Sequence, residues 1–172
     1  MTSQLKVLIT QDEIRQTITR IATEIRRDYQ DKQPVLISIL KGSFIFLADL
    51  IRQIRMPVQV EFIRVSSYGS QKKSTGVVNI MHGLKTPIKG RDIIIVEDII
   101  DTGLTISTVI DYMKKKKPAS IKICALTDKP SRSEVPITVD YVGFTIPDKF
   151  VVGYGLDWNE QYRYLDDICV LE

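Results

Sequence analysis

The sequence predicts an α/β fold: a mainly parallel sheet flanked by helices, with a small loop-rich subregion over one sheet edge. Three observations carry this. Short apolar runs, "PVLISIL" at 34–40 and "IKICALT" at 121–127, have the composition of buried strands. Other segments place apolar residues three and four apart, which is helical spacing. The two kinds follow one another as strand, helix, strand, strand, helix, strand, the order of a sheet built largely on crossovers.

Each element has its own signal. Thr10 can cap a helix, and Glu13 three residues later completes a capping box. Ile14, Ile18, Ile21 and Ile25 then recur at helical spacing, and Arg26 and Arg27 stand at the far end. Residues 34–40 form a buried strand, and "SFIFLADLIRQI" (43–54) a helix. "VQVEFIRV" (58–65) alternates and forms a strand. The polar, aperiodic, glycine-bearing stretch 66–76 is a loop, and "VVNIM" (77–81) is a strand returning from it. Residues 92–97 make the next strand. Ile106, Val109, Ile110 and Met113 give the helix after it one apolar face, and 121–127 is another buried strand. "YVGF", "FVVGY" and "ICVL" are shorter strands near the C-terminus. No repeat, low-complexity stretch or linker interrupts this order, so residues 1–172 are expected to form a single domain.

Composition narrows the function. A chain with 44% hydrophobic and 26% charged residues is neither a disordered tail nor a membrane protein. A net charge of +3 and an isoelectric point of about 8.8 suit an anionic small molecule but are too weak to argue for nucleic acid. The run Lys114–Lys117 falls where a helix should end, and cations there favour the helix dipole. Cys124 and Cys169 lie in apolar runs and are expected to be buried thiols in a reducing compartment. The N-terminus has no signal-peptide pattern, and no stretch reaches the roughly 18 apolar residues of a membrane span. The expected location is the cytoplasm.

The chemistry concentrates in "IIIVEDIIDTGLT" (93–105). A buried strand runs into Glu97 and Asp98, and Asp101, Thr102, Gly103, Leu104 and Thr105 follow. In open parallel sheets, ligands bind at the carboxyl ends of strands. Free amides at the following helix start can wrap an anion, Gly103 admits close approach, and Thr102 and Thr105 add hydroxyls. The stretch matches neither "GxxxxGK[ST]" nor "GxGxxG". Acids beside a phosphate cradle need a partner, and the hydroxyls of a phosphorylated ribose would supply one. On spacing alone a second reading stays equally open: Asp101 and Thr102 cap a helix, and Glu97 and Asp98 are solvated.

"VEDIIDTGLT" resembles the phosphoribosyl-pyrophosphate (PRPP) motif of the type I phosphoribosyltransferases. "ILKGS" (39–43), "SSYG" (66–69), "LTDKPSR" (126–132), "PDKFVVGYGLD" (147–157) and "YR" (162–163) are similar, in order, to segments of the hypoxanthine-guanine phosphoribosyltransferases. The likeness covers about residues 35–171. It implies the type I phosphoribosyltransferase fold with a small base-binding hood. It also implies a reaction that joins hypoxanthine or guanine to PRPP, giving IMP or GMP and pyrophosphate.

The resemblance further assigns residues. Glu97 and Asp98 hold the ribose hydroxyls. Asp101, Thr102, Gly103, Leu104 and Thr105 hold the 5′-phosphate, and Asp101 accepts the purine N7 proton as catalytic base. Lys41 and Gly42, after a cis Leu40–Lys41 peptide, bind pyrophosphate with Arg163. Glu97, Asp98 and Asp157 stand on the side of a Mg²⁺ ion, which prefers oxygen ligands. Lys129 donates to the purine 6-oxygen, Phe150 stacks on the ring, the Val151 carbonyl accepts the N1 proton, and Asp157 borders the base. Adenine reverses both polar groups, which disfavours it. Ser66, Ser67, Tyr68 and Gly69 form a lid. Trp158 either walls the base pocket or merely packs. His82, in a loop-like "MHGL", has no catalytic part. Relatives imply a homodimer or homotetramer. A PRPP-sensing regulator that binds nucleic acid is the alternative; the small charge excess and the complete base-pocket segments rank it below the enzyme.

Overall fold

The structure, a computed structural model, describes residues 4–67 and 78–172. In chain order, β1 (Leu5–Ile9) leads into α1 (Gln11–Asp28), and β2 (Val35–Leu40) into α2 (Phe44–Ile54). β3 (Gln59–Ser67), β4 (Val78–His82) and β5 (Asp92–Ile100) follow, then α3 (Leu104–Lys114) and β6 (Ser120–Asp128). A 3-10 turn at Pro130–Arg132 precedes β7 (Tyr141–Thr145), β8 (Val151–Val152) and β9 (Ile168–Leu171).

Six strands form the main sheet in the order β4-β3-β2-β5-β6-β7. All neighbours are parallel except β3 and β4. The central strands read as continuous apolar runs because both of their faces are covered. Leu36 and Ile94 point to one side, where Ile14, Ile21, Phe46 and Leu50 of α1 and α2 meet them. Val35, Ile37, Ile93 and Ile95 point to the other, against Val109 and Met113 of α3. Alternate residues therefore serve two cores.

β8 and β9 join β1 in a second, antiparallel sheet of order β1-β9-β8. It is the expected loop-rich subregion with one addition, since β1 was not predicted. Leu5 and Val7 are exposed (38% and 50%), so no buried periodicity marks β1; its pairing with Ile168–Leu171 makes it a strand. "FVVGY" is a strand only at Val151–Val152. Gly153, Tyr154 and Gly155 then take positive φ (98°, 51° and 96°), which turns the chain away. His82 closes β4 and is not in a loop.

The remaining helix signals hold. Thr10 and Glu13 form the complete capping box of α1. α3 ends at Lys114 with Lys115 as its cap. Cys124 and Cys169 are buried free thiols. Among the described residues, no helix is long and apolar enough to cross a membrane.

Candidate active site

Glu97 and Asp98 lie inside β5, which runs on to Ile100, and they are only 6% and 7% exposed. The reading of solvated acids at a strand end therefore fails. Glu97 Oε1 accepts the Asp98 N–H (3.2 Å), Asp98 Oδ1 accepts the Ile99 N–H (2.9 Å), and Thr127 Oγ1 donates to the Asp98 carbonyl (2.9 Å). None of the ion pairs among the described residues includes either acid. Burial first, then the neighbouring Asp98, hold the Glu97 carboxyl well above the usual carboxylate range. Two buried, unpaired acids side by side are a standing cost that a cation or hydroxyl ligand would relieve.

After β5 the chain turns at Asp101–Gly103 into α3. Gly103 is the N-cap, with φ +84° and no side-chain cap bond. A Cβ there would stand 2.5 Å from the Val135 carbonyl oxygen. The nearest hydroxyl, Thr102 Oγ1, is a long 3.4 Å from the Leu104 N–H. Asp101 and Thr102 thus do not close this helix as Thr10 and Glu13 close α1. Apart from that long Leu104 contact, the first-turn amides have no side-chain partner among the described residues and stay open to an anion at the positive end of the helix dipole. Glu134 and Val135 hold the turn from behind by donating their N–H groups to the Thr102 carbonyl (3.0 and 3.1 Å).

The β2–α2 connection forms the facing wall. The Leu40–Lys41 peptide is cis. A Cβ on Gly42 would collide with Asp98 Oδ2, and one on Gly155 would collide with the Gly42 carbonyl oxygen, so three segments meet here with no side chain between them. Buried Ser38 and Ser43 share a hydroxyl contact of 2.6 Å, and Ser43 Oγ donates to the Ile39 carbonyl, which pins the turn. Arg163 Nη1 donates to the Gly155 carbonyl (2.7 Å), and its Nη2 pairs with Asp157 Oδ1 (2.8 Å).

These walls enclose two adjoining cavities. One, of about 460 Å³, contains Glu97, Thr102, Gly103 and Thr105. The other, of about 610 Å³, contains Ser66, Lys129, Phe150, Val151 and Arg163. Lys41, Gly42, Asp98, Asp101 and Asp157 border both. Lys129 is 5% exposed, and no ion pair among the described residues includes it. Phe150 stands half exposed at 52%. The Oγ of Ser66 is buried without a hydrogen-bond partner among the described residues.

The candidate residues thus converge, with few exceptions. Leu104, half-buried at the first position of α3, lines neither cavity. Ser67 ends β3, and Tyr68 and Gly69 lie outside the described residues. Trp158 lines neither cavity; it is 47% exposed, and its backbone pairs with Gln161. Among the described residues, no three His, Cys, Asp or Glu side chains cluster as a metal cage. Two contributors lacked a sequence signal. Arg132 pairs with Asp101 (2.8 Å), and Glu160 pairs with Lys41 (2.7 Å). Arg132 lies within "DKPSR", but its partner is set by the fold.

Comparison with known proteins converges on one family. A family model described as the phosphoribosyl transferase domain matches residues 8–159. A hypoxanthine-guanine phosphoribosyltransferase of Bacillus subtilis (strain 168) is 47% identical over 167 residues, covering 97% of this chain and 93% of the relative. A hypoxanthine phosphoribosyltransferase of Salmonella typhimurium (strain LT2) is 45% identical, with 96% and 94% covered. The crystal structure of a hypoxanthine-guanine phosphoribosyltransferase from Bacillus anthracis, with a HEPES molecule in its active site, superposes with a TM-score of 0.93 at 44% identity, covering 98% of this chain and all of that one.

Proposed function

The chain belongs to the hypoxanthine-guanine phosphoribosyltransferases, within the phosphoribosyl transferase domain family, and on that premise we propose how its residues carry out the reaction. It is a purine salvage enzyme, a pentosyltransferase that moves the phosphoribosyl group of PRPP to N9 of hypoxanthine or guanine. The purine N9–C1′ bond forms, the C1′–oxygen bond to pyrophosphate breaks, and the purine gives up a proton at N7. IMP or GMP and pyrophosphate leave.

Positive charge gathers on the ribose ring in the transition state, and negative charge on the leaving group. Electrostatic placement should therefore supply most of the rate. The 5′-phosphate sits on the open amides of Thr102 to Thr105, and Glu97 and Asp98 face the ribose hydroxyls. Asp101, at the boundary of both cavities, takes the N7 proton. Lys41, the Gly42 amide and Arg163 hold the pyrophosphate. Lys129 donates to the purine 6-oxygen, the Val151 carbonyl accepts from N1, and Phe150 covers the ring. A 6-aminopurine would leave buried polar groups unpaired, which explains a preference for 6-oxopurines. Ser66 and Ser67, at the end of β3, belong to a segment that keeps water from the reacting ribose.

A divalent cation fits this donor set. Glu97 and Asp98 are buried acids without a cationic partner, and Asp157 borders the same space. Mg²⁺ is held by one or two carboxylates, waters and substrate phosphates rather than a protein cage, which suits the lack of a three-ligand cluster among the described residues. When bound, Mg²⁺ neutralises charge on the pyrophosphate. The enzyme works in the cytoplasm as a homodimer or homotetramer. The relatives' names give no support to a nucleic-acid-binding regulator.

One observation carries the reading: the uncapped start of α3 opens on the same cavity as the two unpaired acids of β5. The test is nucleotide formation from PRPP and Mg²⁺ with hypoxanthine, guanine, xanthine, adenine or uracil. Hypoxanthine and guanine should react and adenine should not. Failure of all five bases would overturn the reading, and excess EDTA should stop the reaction.

A further inference from the structure

Lys41 and Arg163, the two cations assigned to pyrophosphate, converge on one carboxylate of the chain itself. Glu160 Oε1 lies 2.7 Å from Lys41 Nζ, and Glu160 Oε2 lies 3.3 Å from Arg163 Nη2. Each carboxylate oxygen takes one cation, as two oxygens of a bound pyrophosphate would. Glu160 borders the larger cavity together with Lys41, Gly42 and Arg163.

The backbone presents this carboxylate. The Glu160 N–H donates to Asp157 Oδ2 (2.8 Å), and Asp157 Oδ1 pairs with Arg163. Trp158 and Gln161 close the turn by reciprocal N–H to carbonyl bonds of 3.2 and 3.0 Å. Asn159 and Glu160 hold φ values of +52° and +61°, a region that side-chain-bearing residues seldom adopt. A strained turn that delivers an acid onto two cations differs from a chance surface pair. An exposed carboxylate flanked by the Lys41 ammonium and the Arg163 guanidinium is an anion at neutral pH.

We propose that Glu160 is an internal occupant of the pyrophosphate subsite. Its carboxylate holds Lys41 and Arg163 between turnovers and competes with PRPP and pyrophosphate for them. This rests on the reading of Lys41 and Arg163 as the pyrophosphate cations. The Glu160 side chain is 65% exposed, so its pairs are of the weak, solvent-screened kind that an incoming polyanion can break. A tethered carboxylate of that strength would leave the cations ordered, yet speed the departure of a product that binds through them.

The test is the Glu160→Gln variant, which keeps size and hydrogen bonding and removes the charge. Binding of pyrophosphate with Mg²⁺ should tighten roughly two- to fivefold, and the KM for PRPP should fall by a similar factor. The KM for hypoxanthine should stay constant. Unchanged or weaker pyrophosphate binding would overturn the proposal, since a residue that merely positions Lys41 would weaken binding when lost. Lys41→Met, measured alongside, separates the two levels. If it weakens pyrophosphate binding while Glu160→Gln fails to tighten it, only the role of Glu160 falls. If it binds pyrophosphate as well as the unaltered chain does, the reading of Lys41 falls and takes the proposal with it. Thermal melting of each variant confirms that a folded protein is compared.

Discussion

Arg132 Nε lies 2.8 Å from Asp101 Oδ1, and Arg132 Nη1 lies 3.6 Å from Asp148 Oδ1. The guanidinium holds the proposed proton acceptor from outside, at the boundary of both cavities. One carboxylate oxygen is engaged, and the other remains for a purine proton. The phosphate, by contrast, is proposed to meet the backbone amides of this turn rather than this carboxylate. Asp101→Ala should therefore lower kcat by about a hundredfold or more, within the range for a lost general base. The KM for PRPP should change only a few-fold. Steady-state kinetics check this split, and an undiminished kcat would remove Asp101 from proton transfer.

Gly42 offers a steric test of the same site. Any Cβ there collides with Asp98 Oδ2, and the Gly42 carbonyl oxygen is itself crowded by Gly155. Gly42→Ala must displace either the acid or the β2–α2 turn, and overpacking of this kind costs about 1–3 kcal/mol. The expected result is a folded protein with kcat/KM for PRPP reduced at least about tenfold, the equivalent of 1.4 kcal/mol. Wild-type kinetics in the alanine variant would mean that this close approach is not needed for function.

The unequal legibility of the site has physical causes. Glu97, Asp98 and the turn after them could be read because they are contiguous and follow an unmistakable buried strand. Their burial could not be read, since it comes from neighbours such as Gly42 and Thr127 on other elements. Spacing alone left Asp101 and Thr102 open as helix caps; the N-cap position falls instead to Gly103, in the left-handed region, and Thr102 keeps only a long 3.4 Å contact with the Leu104 N–H. The pairings of Glu160 with Lys41 and of Arg132 with Asp101 carried no local signal because the partners lie 119 and 31 residues apart in sequence. β1 escaped for a related reason: a strand of mostly exposed residues is defined by its pairing with β9 at the other end of the chain.

The proposed contact of Lys129 with the purine 6-oxygen makes it the residue on which base choice is tested. It is a buried cation outside the ion pairs of the described residues, held by its own N–H to the Ile100 carbonyl (2.9 Å), so its place is fixed relative to β5. Hydrogen bonds to charged groups contribute about 1.5–3 kcal/mol, or roughly 10- to 150-fold. Lys129→Gln should reduce kcat/KM for hypoxanthine and guanine by about that factor and narrow the gap to adenine, because an amide can also accept a hydrogen bond. Competition assays with the three bases check it. An unaltered ranking at unaltered rates would place the purine elsewhere.

Glu97 links the site to the pH dependence of stability. Its carboxyl is raised well above the ordinary 4.5, first by burial and then by the charge of Asp98. The folded protein therefore holds a proton on Glu97 that the unfolded chain has released once pH exceeds about 4.5. Across the window from there up to the raised value, the folded state binds more protons, so stability falls as pH rises. The contribution is complete below that window and is lost above it. Glu97→Gln abolishes the titration while nearly preserving shape. In EDTA and without substrate, the variant should melt at nearly the temperature of the unaltered chain near pH 5 and above it at pH 8, by about 2–4 °C for each kcal/mol gained. Asp128, whose carboxyl is also raised by burial, shifts both proteins alike and drops out of the difference. Melting curves at several pH values are decisive. A gap that stays constant with pH would mean that Glu97 is ionised in the folded protein, and that the pair of β5 acids carries its charge before any ligand arrives.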